Sequence, residues 1–159
     1  MRTIEVSLIL NGLKKDLTID PNKTLLEVIR EDFGLTGAKD GCGGEGECGA
    51  CTVLLDGYLV NSCMIFIGQV DGLNITTIEG LAPEGEYHPI QEAFVSAGAV
   101  QCGYCTPGAV LAVKALLDKN SHPSDQVIKE GLSGNLCRCT GYTKMVDAVQ
   151  IAAEVLSDD

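Results

Sequence analysis

From Ile4 the chain places an apolar residue at every second position, Ile4, Val6, Leu8 and Leu10, then meets Asn11-Gly12 and resumes with Leu13, Leu17 and Ile19. Alternation with period two marks a strand with one buried face, and Asn-Gly is a strong two-residue turn signal, so residues 4–19 predict a β-hairpin. After Asp20-Pro21, Thr24 with Glu27 three positions on forms a capping box ahead of Leu25, Leu26, Val28 and Ile29. That predicts one short amphipathic helix, stopped near Gly34. A glycine-dense stretch from Gly37 to Gly49 follows, and then Thr52 to Leu55, Asp56-Gly57 and Tyr58 to Val60 repeat the hairpin signature. Leu73 to Ile78 offers a last strand. Two hairpins and a helix predict a small mixed sheet with the helix on one face, a β-grasp-like α+β unit.

The pattern changes at Leu81-Ala82-Pro83-Glu84-Gly85, a Pro/Gly segment that reads as a linker, giving domains of residues 1–81 and 82–159. Downstream the periodicity is helical. Pro89 sits in the first turn of a helix running to about Ala97, and Thr106-Pro107 is expected to cap and start a second carrying Val110, Val113, Leu116 and Leu117. Ser124 caps a short third to about Leu132, and Met145, Val149, Ala152, Ala153 and Leu156 mark a fourth. The expected second domain is a four-helix bundle.

Composition narrows the function. In 159 residues, 22 acidic against 11 basic give a formal charge of −11, a balance that repels phosphate backbones and anionic membrane surfaces, so nucleic acid and membrane are not expected partners. No apolar run approaches the roughly 20 residues of a membrane span, and the first residues do not read as a secretion signal. A cytoplasmic location is expected. Eight cysteines in such a chain are better read as reduced thiolates that bind metal than as a disulfide framework.

Cys42, Cys48 and Cys51 lie in one glycine-rich loop, with Cys63 beyond the second hairpin. If Asp56-Gly57 is the turn, Leu55 faces Tyr58, Val53 faces Val60 and Ala50 faces Cys63, which returns the fourth thiol beside Cys51. A plant-type ferredoxin site has four residues in the first gap. This chain has five, an extra residue that a glycine loop absorbs as a bulge or wider turn. A structural zinc site is the alternative, although only Cys48 and Cys51 form a knuckle. Two G-x-G-x-x-G matches, at Gly41 and Gly44, enclose cysteines and lack the strand-to-helix context of a dinucleotide site. Asp40, Glu45 and Glu47 read as a solvated face.

Cys102 and Cys105 lie between the first and second C-terminal helices, and Cys137 and Cys139 between the third and fourth. Antiparallel packing of two such helical hairpins brings both pairs to one end, a four-sulfur site. Zinc, or a redox C-x-x-C, is the alternative reading, but the βαβ context of a thioredoxin-like motif is missing. His88 and His122 each precede proline in an expected exposed turn, and no C-x-H pair suggests a Rieske centre.

Three stretches carry a family resemblance: Gly46-Glu-Cys-Gly-Ala-Cys-Thr-Val53, Gln101-Cys-Gly-Tyr-Cys-Thr-Pro-Gly108 and Gly134-Asn-Leu-Cys-Arg-Cys-Thr-Gly-Tyr142. Together they resemble the iron–sulfur subunit of xanthine dehydrogenase-type molybdenum hydroxylases, over nearly the whole chain. The resemblance implies one [2Fe–2S] cluster on Cys42, Cys48, Cys51 and Cys63 and another on Cys102, Cys105, Cys137 and Cys139. It also implies a large partner subunit with a molybdenum–pterin cofactor near Gln101 and Cys139, and a medium subunit with FAD. The complex is then an oxidoreductase that hydroxylates a heterocycle or aldehyde with water, and this chain, without a catalytic site of its own, passes single electrons. A free-standing ferredoxin and a zinc or interaction module are the competing readings.

Overall fold

The computed structural model describes residues 2–157, so position 1 and positions 158–159 of the two expected domain ranges lie outside it. Strands β1 (Ile4–Leu10) and β2 (Leu13–Ile19) pair antiparallel in the expected register, Leu10 opposite Leu13 and Ile4 opposite Ile19. Asn11 and Gly12 turn the corner at φ of 50° and 80°, the left-handed pair of a type I′ turn, whose twist matches that of the strands. Val6, Leu8 and Leu10 are buried on one face. Leu13, expected among the inward positions, stays exposed because β2 is the sheet's edge and Leu13 sits at its turn end.

The capping box forms as expected, with Thr24 Oγ1 accepting from Glu27 N–H at 3.2 Å and Glu27 Oε2 accepting from Thr24 N–H at 2.6 Å. Helix α1 (Leu25–Glu27) continues at once as a π-helical turn (Val28–Asp32), in which the Phe33 N–H donates to Val28 O at 3.2 Å. The wider turn keeps Val28 and Ile29 both buried beside Leu25 and Leu26. Strands β3 (Thr52–Leu55) and β4 (Tyr58–Asn61) form the second hairpin, again in the expected register, with Asp56 and Gly57 at φ of 47° and 82°. Strand β5 (Asn74–Thr76) threads between the hairpins, parallel to β1 and antiparallel to β3, giving the order β2-β1-β5-β3-β4.

Asn11 serves two tasks. Its side chain donates to Thr77 Oγ1 at 2.9 Å and accepts from Thr77 N–H at 2.8 Å, tying the first turn to the end of β5. Thr77 is fully buried, so an Asn11→Ala variant strips its N–H of its partner, leaves its hydroxyl with Glu79 alone, and also places alanine in the left-handed region, where it is less tolerated than asparagine. The expected cost is about 2 kcal/mol, read as a lowered unfolding midpoint in urea.

The C-terminal half holds α2 (Pro89–Ser96), α3 (Thr106–Leu117), α4 (Asp125–Gly131) and α5 (Thr143–Ser157). α2 packs on α5 and α3, and α4 packs on α3 and α5, around Ile90, Phe94, Val110, Val113, Ile128, Met145 and Val149. Two helix starts differ from expectation. His88 does not merely lie in an exposed turn: it is half-buried and its Nδ1 accepts from Ile90 N–H at 3.2 Å, capping α2. At α3 the N-cap position belongs to Cys105, with Thr106 and Pro107 inside the first turn, so the side-chain cap expected from Thr106 is not made. Pro107 is tolerated there because the first turn leaves its N–H groups unpaired anyway. Helix α3 lies on β3, where Leu54, Leu111 and Ala115 form a small shared core with Leu81. Among the described residues, no helix is long and apolar enough to cross a membrane.

Candidate metal centres

The chain runs into the first cysteine loop from the π-helical turn through residues 33–41. Arg30 steadies this approach, its Nη1 donating to Thr36 O at 3.1 Å and Ala38 O at 2.7 Å, and Lys39 N–H closes the neck on Ala50 O at 2.9 Å. Between Cys42 and Cys48, three glycines, Gly43, Gly44 and Gly46, sit at φ of 74°, 84° and 74°. That left-handed backbone absorbs the fifth residue of the gap and turns N–H groups towards the sulfurs. Asp40 is exposed yet structural: its Oδ1 accepts from Gly43 N–H at 2.7 Å and from Gly44 N–H at 3.2 Å. Glu45 and Glu47 are solvent-facing as expected. Asn61, at the end of β4, donates to Gly46 O at 2.6 Å and holds the loop's far side.

The β3–β4 ladder ends at Thr52 opposite Asn61, two steps short of the expected pairing of Ala50 with Cys63. Beyond it the chain turns into a 3-10 segment (Ser62–Met64), with the buried Ser62 hydroxyl donating to Cys51 O at 2.7 Å. The outcome for the thiols is the one expected: Cys51 Sγ and Cys63 Sγ lie 3.3 Å apart. Cys42 and Cys48 form a second hydrogen-bonded pair, and Cys63 also feels the charge of Cys42, so the two pairs adjoin.

The second set assembles from two inter-helix loops. Cys102 Sγ and Cys139 Sγ are 3.6 Å apart and exposed, while Cys105 and Cys137 hydrogen-bond to one another further in. Cys105 feels the charge of Cys102, and Cys139 that of Cys137, so these pairs adjoin too. Gln101, next to Cys102, is exposed. His122 is exposed as expected, and neither histidine stands among the sulfurs.

Each quartet is therefore two adjoining pairs of thiols, a donor set that fits a [2Fe–2S] cluster with two thiolates on each iron.

The environments of the thiols differ sharply. Backbone N–H groups of Glu47 and Cys48 pull the Cys42 thiol down to about 7. Burial pushes the Cys137 thiol up, but hydrogen bonds from the Thr140 hydroxyl and N–H and from Cys139 N–H outweigh it and leave it at about 7. Burial, reinforced by Cys51, pushes the Cys63 thiol up to about 12, and burial, reinforced by Cys137, does the same for Cys105. At pH 8 the two lowered groups are largely thiolate and the two raised ones only about one part in 10⁴. In metal-free folded protein, iodoacetamide is accordingly expected to label Cys42 and Cys137 first and Cys63 and Cys105 last. Labelling of the first pair should fade as pH drops below about 7. Peptide mapping over a time course checks the order.

The two centres are tied together by groups that the sequence did not single out. Leu136 N–H, adjacent to Cys137, donates to Cys48 O at 2.9 Å. The buried Asn135 donates through Nδ2 to Gly49 O at 3.0 Å and Thr52 Oγ1 at 3.1 Å. The Tyr104 hydroxyl donates to Asp40 O, and Lys39 Nζ lies 5.8 Å from the centre of the Tyr104 ring. Tyr104 lies inside the second motif, and Asn135 and Leu136 inside the third.

Comparison with known proteins agrees with the geometry. The family model described as a 2Fe-2S iron-sulfur cluster binding domain matches residues 8–68, and that described as a [2Fe-2S] binding domain matches residues 77–150. The chain is thus a protein with two [2Fe–2S]-binding units. It is 53% identical to the nicotinate dehydrogenase small FeS subunit of Eubacterium barkeri, over 97% of this chain and 98% of that one. It is 44% identical to the xanthine dehydrogenase iron-sulfur-binding subunit of Escherichia coli, over 92% of each chain. Among solved structures, quinoline 2-oxidoreductase from Pseudomonas putida 86 superposes with a TM-score of 0.94 at 37% identity, covering 99% of this chain and 98% of that chain. The aldehyde oxidoreductase of Desulfovibrio desulfuricans gives 0.93 at 44% identity, but there the match covers 97% of this chain and 17% of the longer one. The chain belongs to the family of iron–sulfur subunits of xanthine dehydrogenase-type molybdenum hydroxylases, as its three motifs implied.

Proposed function

We propose that this chain carries electrons singly from a molybdenum–pterin centre on a large subunit, through two [2Fe–2S] clusters, to FAD on a medium subunit. In this reading Cys102, Cys105, Cys137 and Cys139 hold the cluster that receives electrons, with Gln101 and Cys139 closest to the pterin. Cys42, Cys48, Cys51 and Cys63 hold the cluster that delivers them. Bound in these quartets, each cluster supplies a one-electron couple. The chain's own residues do the rest. Cys102 and Cys139 present an exposed edge of the second quartet, bordered by the exposed apolar side chains of Val100, Tyr104 and Leu136, a surface suited to a large partner. Asn135 and the Leu136–Cys48 hydrogen bond keep the quartets in fixed relation, which is the observation that carries the reading.

The same reading divides the chain at 81/82 into a β-grasp ferredoxin-like domain and a four-helix bundle. The Pro/Gly content of residues 82–85 and the ring of contacts among α2, α3, α4 and α5 support it. It also places the protein in the cytoplasm, where eight thiols stay reduced. For the complex we infer oxidative hydroxylation of an N-heterocycle. The relatives matched over most of their own length are named for nicotinate, xanthine and quinoline. Purification of the native complex tests both parts. Co-purifying molybdenum and flavin subunits, with both clusters reduced on addition of a heterocycle, are expected; a chain recovered without such partners would favour a free-standing ferredoxin.

A further inference from the structure

The hydrogen-bond donors to the two quartets are of different kinds. Around the first quartet they are backbone N–H groups: those of Glu45, Glu47 and Cys48 on Cys42, of Gly41 and Ala50 on Cys48, and of Gly46 on Cys63. Around the second, one donor is a side chain. Thr140 directs its hydroxyl at Cys137 Sγ, 3.1 Å away, and its N–H at the same sulfur from 3.4 Å. Among the described residues it is the one side chain other than a cysteine that hydrogen-bonds to any of the eight sulfurs.

The direction of that hydroxyl is fixed by its neighbour. Tyr142 N–H donates to Thr140 Oγ1 at 3.2 Å, which occupies the oxygen's acceptor side and leaves its proton for the sulfur. Tyr142 itself is held at φ 69°, a left-handed conformation that is costly for an aromatic residue and that turns its N–H back into the loop. Its phenol oxygen accepts from Cys137 N–H at 2.8 Å, and its carbonyl accepts from Val146 N–H at 3.0 Å as α5 begins. Both ends of the strained residue are thus tied down, one to the metal loop and one to a helix in the core. A backbone conformation this unfavourable persists because surrounding contacts over-determine it.

We propose that Thr140, aligned by Tyr142, sets the reduction potential of the second cluster by donating its hydroxyl proton to Cys137 Sγ. The inference rests on the reading that the second quartet holds a [2Fe–2S] cluster. Reduction adds one electron and no proton, so the four-thiolate unit gains a negative charge. A donor on a ligand sulfur then stabilises the reduced form more than the oxidised one and raises the potential. Thr140 is a positioning residue, since it acts through Cys137. It makes the centre nearer the proposed electron source easier to reduce, without any change of ligand.

The test is an EPR-monitored redox titration of the holo complex in wild-type form and as T140V, T140S and T140A. Valine keeps the branched shape and removes the hydroxyl. The centre whose signal disappears in C102S is expected to lose on the order of tenfold in its reduced-to-oxidised ratio at fixed potential in T140V, about 59 mV for a one-electron couple. The other centre should not move, and T140S should restore the wild-type value. If both centres are present and T140V leaves the second unchanged or raises it, or if T140S behaves like T140V, the proposal is overturned while the two-cluster reading stands. Loss of the second centre from both T140V and T140A, with T140S keeping it, would give Thr140 a role in assembly and overturn the proposal too. Wild-type protein with zinc or one centre only would remove the underlying reading instead.

Discussion

Gly49→Ala is expected to destabilise the protein by about 4 kcal/mol and to loosen the junction between the two cysteine loops. Gly49 sits at φ 68° with its flank against the other half of the chain, where an added Cβ would overlap Gly134 O and come within 2.7 Å of Asn135 Nδ2. Left-handed strain alone accounts for roughly 1–2 kcal/mol. The remainder comes from displacing Asn135, a buried amide whose two hydrogen bonds to Gly49 O and Thr52 Oγ1 are then lost. Gly72→Ala separates the two effects, because Gly72 has φ 77° and an added methyl there would meet nothing within 4 Å. Thermal unfolding followed by visible absorbance should show a small drop for Gly72→Ala and a several-fold larger one for Gly49→Ala. Equal drops would mean that the junction contributes nothing to stability.

Cys63→Ser is expected to abolish the first centre and spare the second, taking iron from about four to about two atoms per chain. Cys63 is buried, 3.3 Å from Cys51, and a serine hydroxyl there replaces a thiolate donor without replacing its affinity for iron. The pairs of the second quartet are formed by other loops and packed on another core, so they should load normally. On the electron route proposed above, this variant in the complex should still accept electrons at the second centre and fail to deliver them to flavin. Reduction of the molybdenum side by substrate would continue, while flavin-linked turnover falls by at least about 10²-fold, as expected when a unit of a relay is removed.

Both hairpins could be read from the chain because their information is local: Asn11-Gly12 and Asp56-Gly57 dictate turn type, and turn type dictates register. The capping box at Thr24 and the proline at Pro89 are equally local signals, and both helices start where these residues place them. The insertion of β5 between the hairpins was not legible. It depends on a parallel pairing with β1 across more than sixty residues, which no short-range pattern encodes. The π turn after α1 likewise reflects how Val28 and Ile29 share one core rather than any propensity.

At the site, spacing alone suggested that each quartet's loops meet, and the structure brings the eight sulfurs into two groups of adjoining pairs. No pattern in the chain signals that Asp40 shapes the glycine loop or that Asn61 braces it. Asn135 is further still from legibility, since its partner Gly49 lies 86 positions away. The role of Thr140 was not legible either, since its hydroxyl turns to Cys137 only because Tyr142 occupies its other side.

Iron and acid-labile sulfide analysis, combined with EPR of the dithionite-reduced protein prepared without air, tests the central claim most directly. The account predicts about four iron and four sulfide per chain and two distinct [2Fe–2S] signals. Stoichiometric zinc with negligible iron, or a single iron–sulfur signal from fully loaded protein, would contradict it.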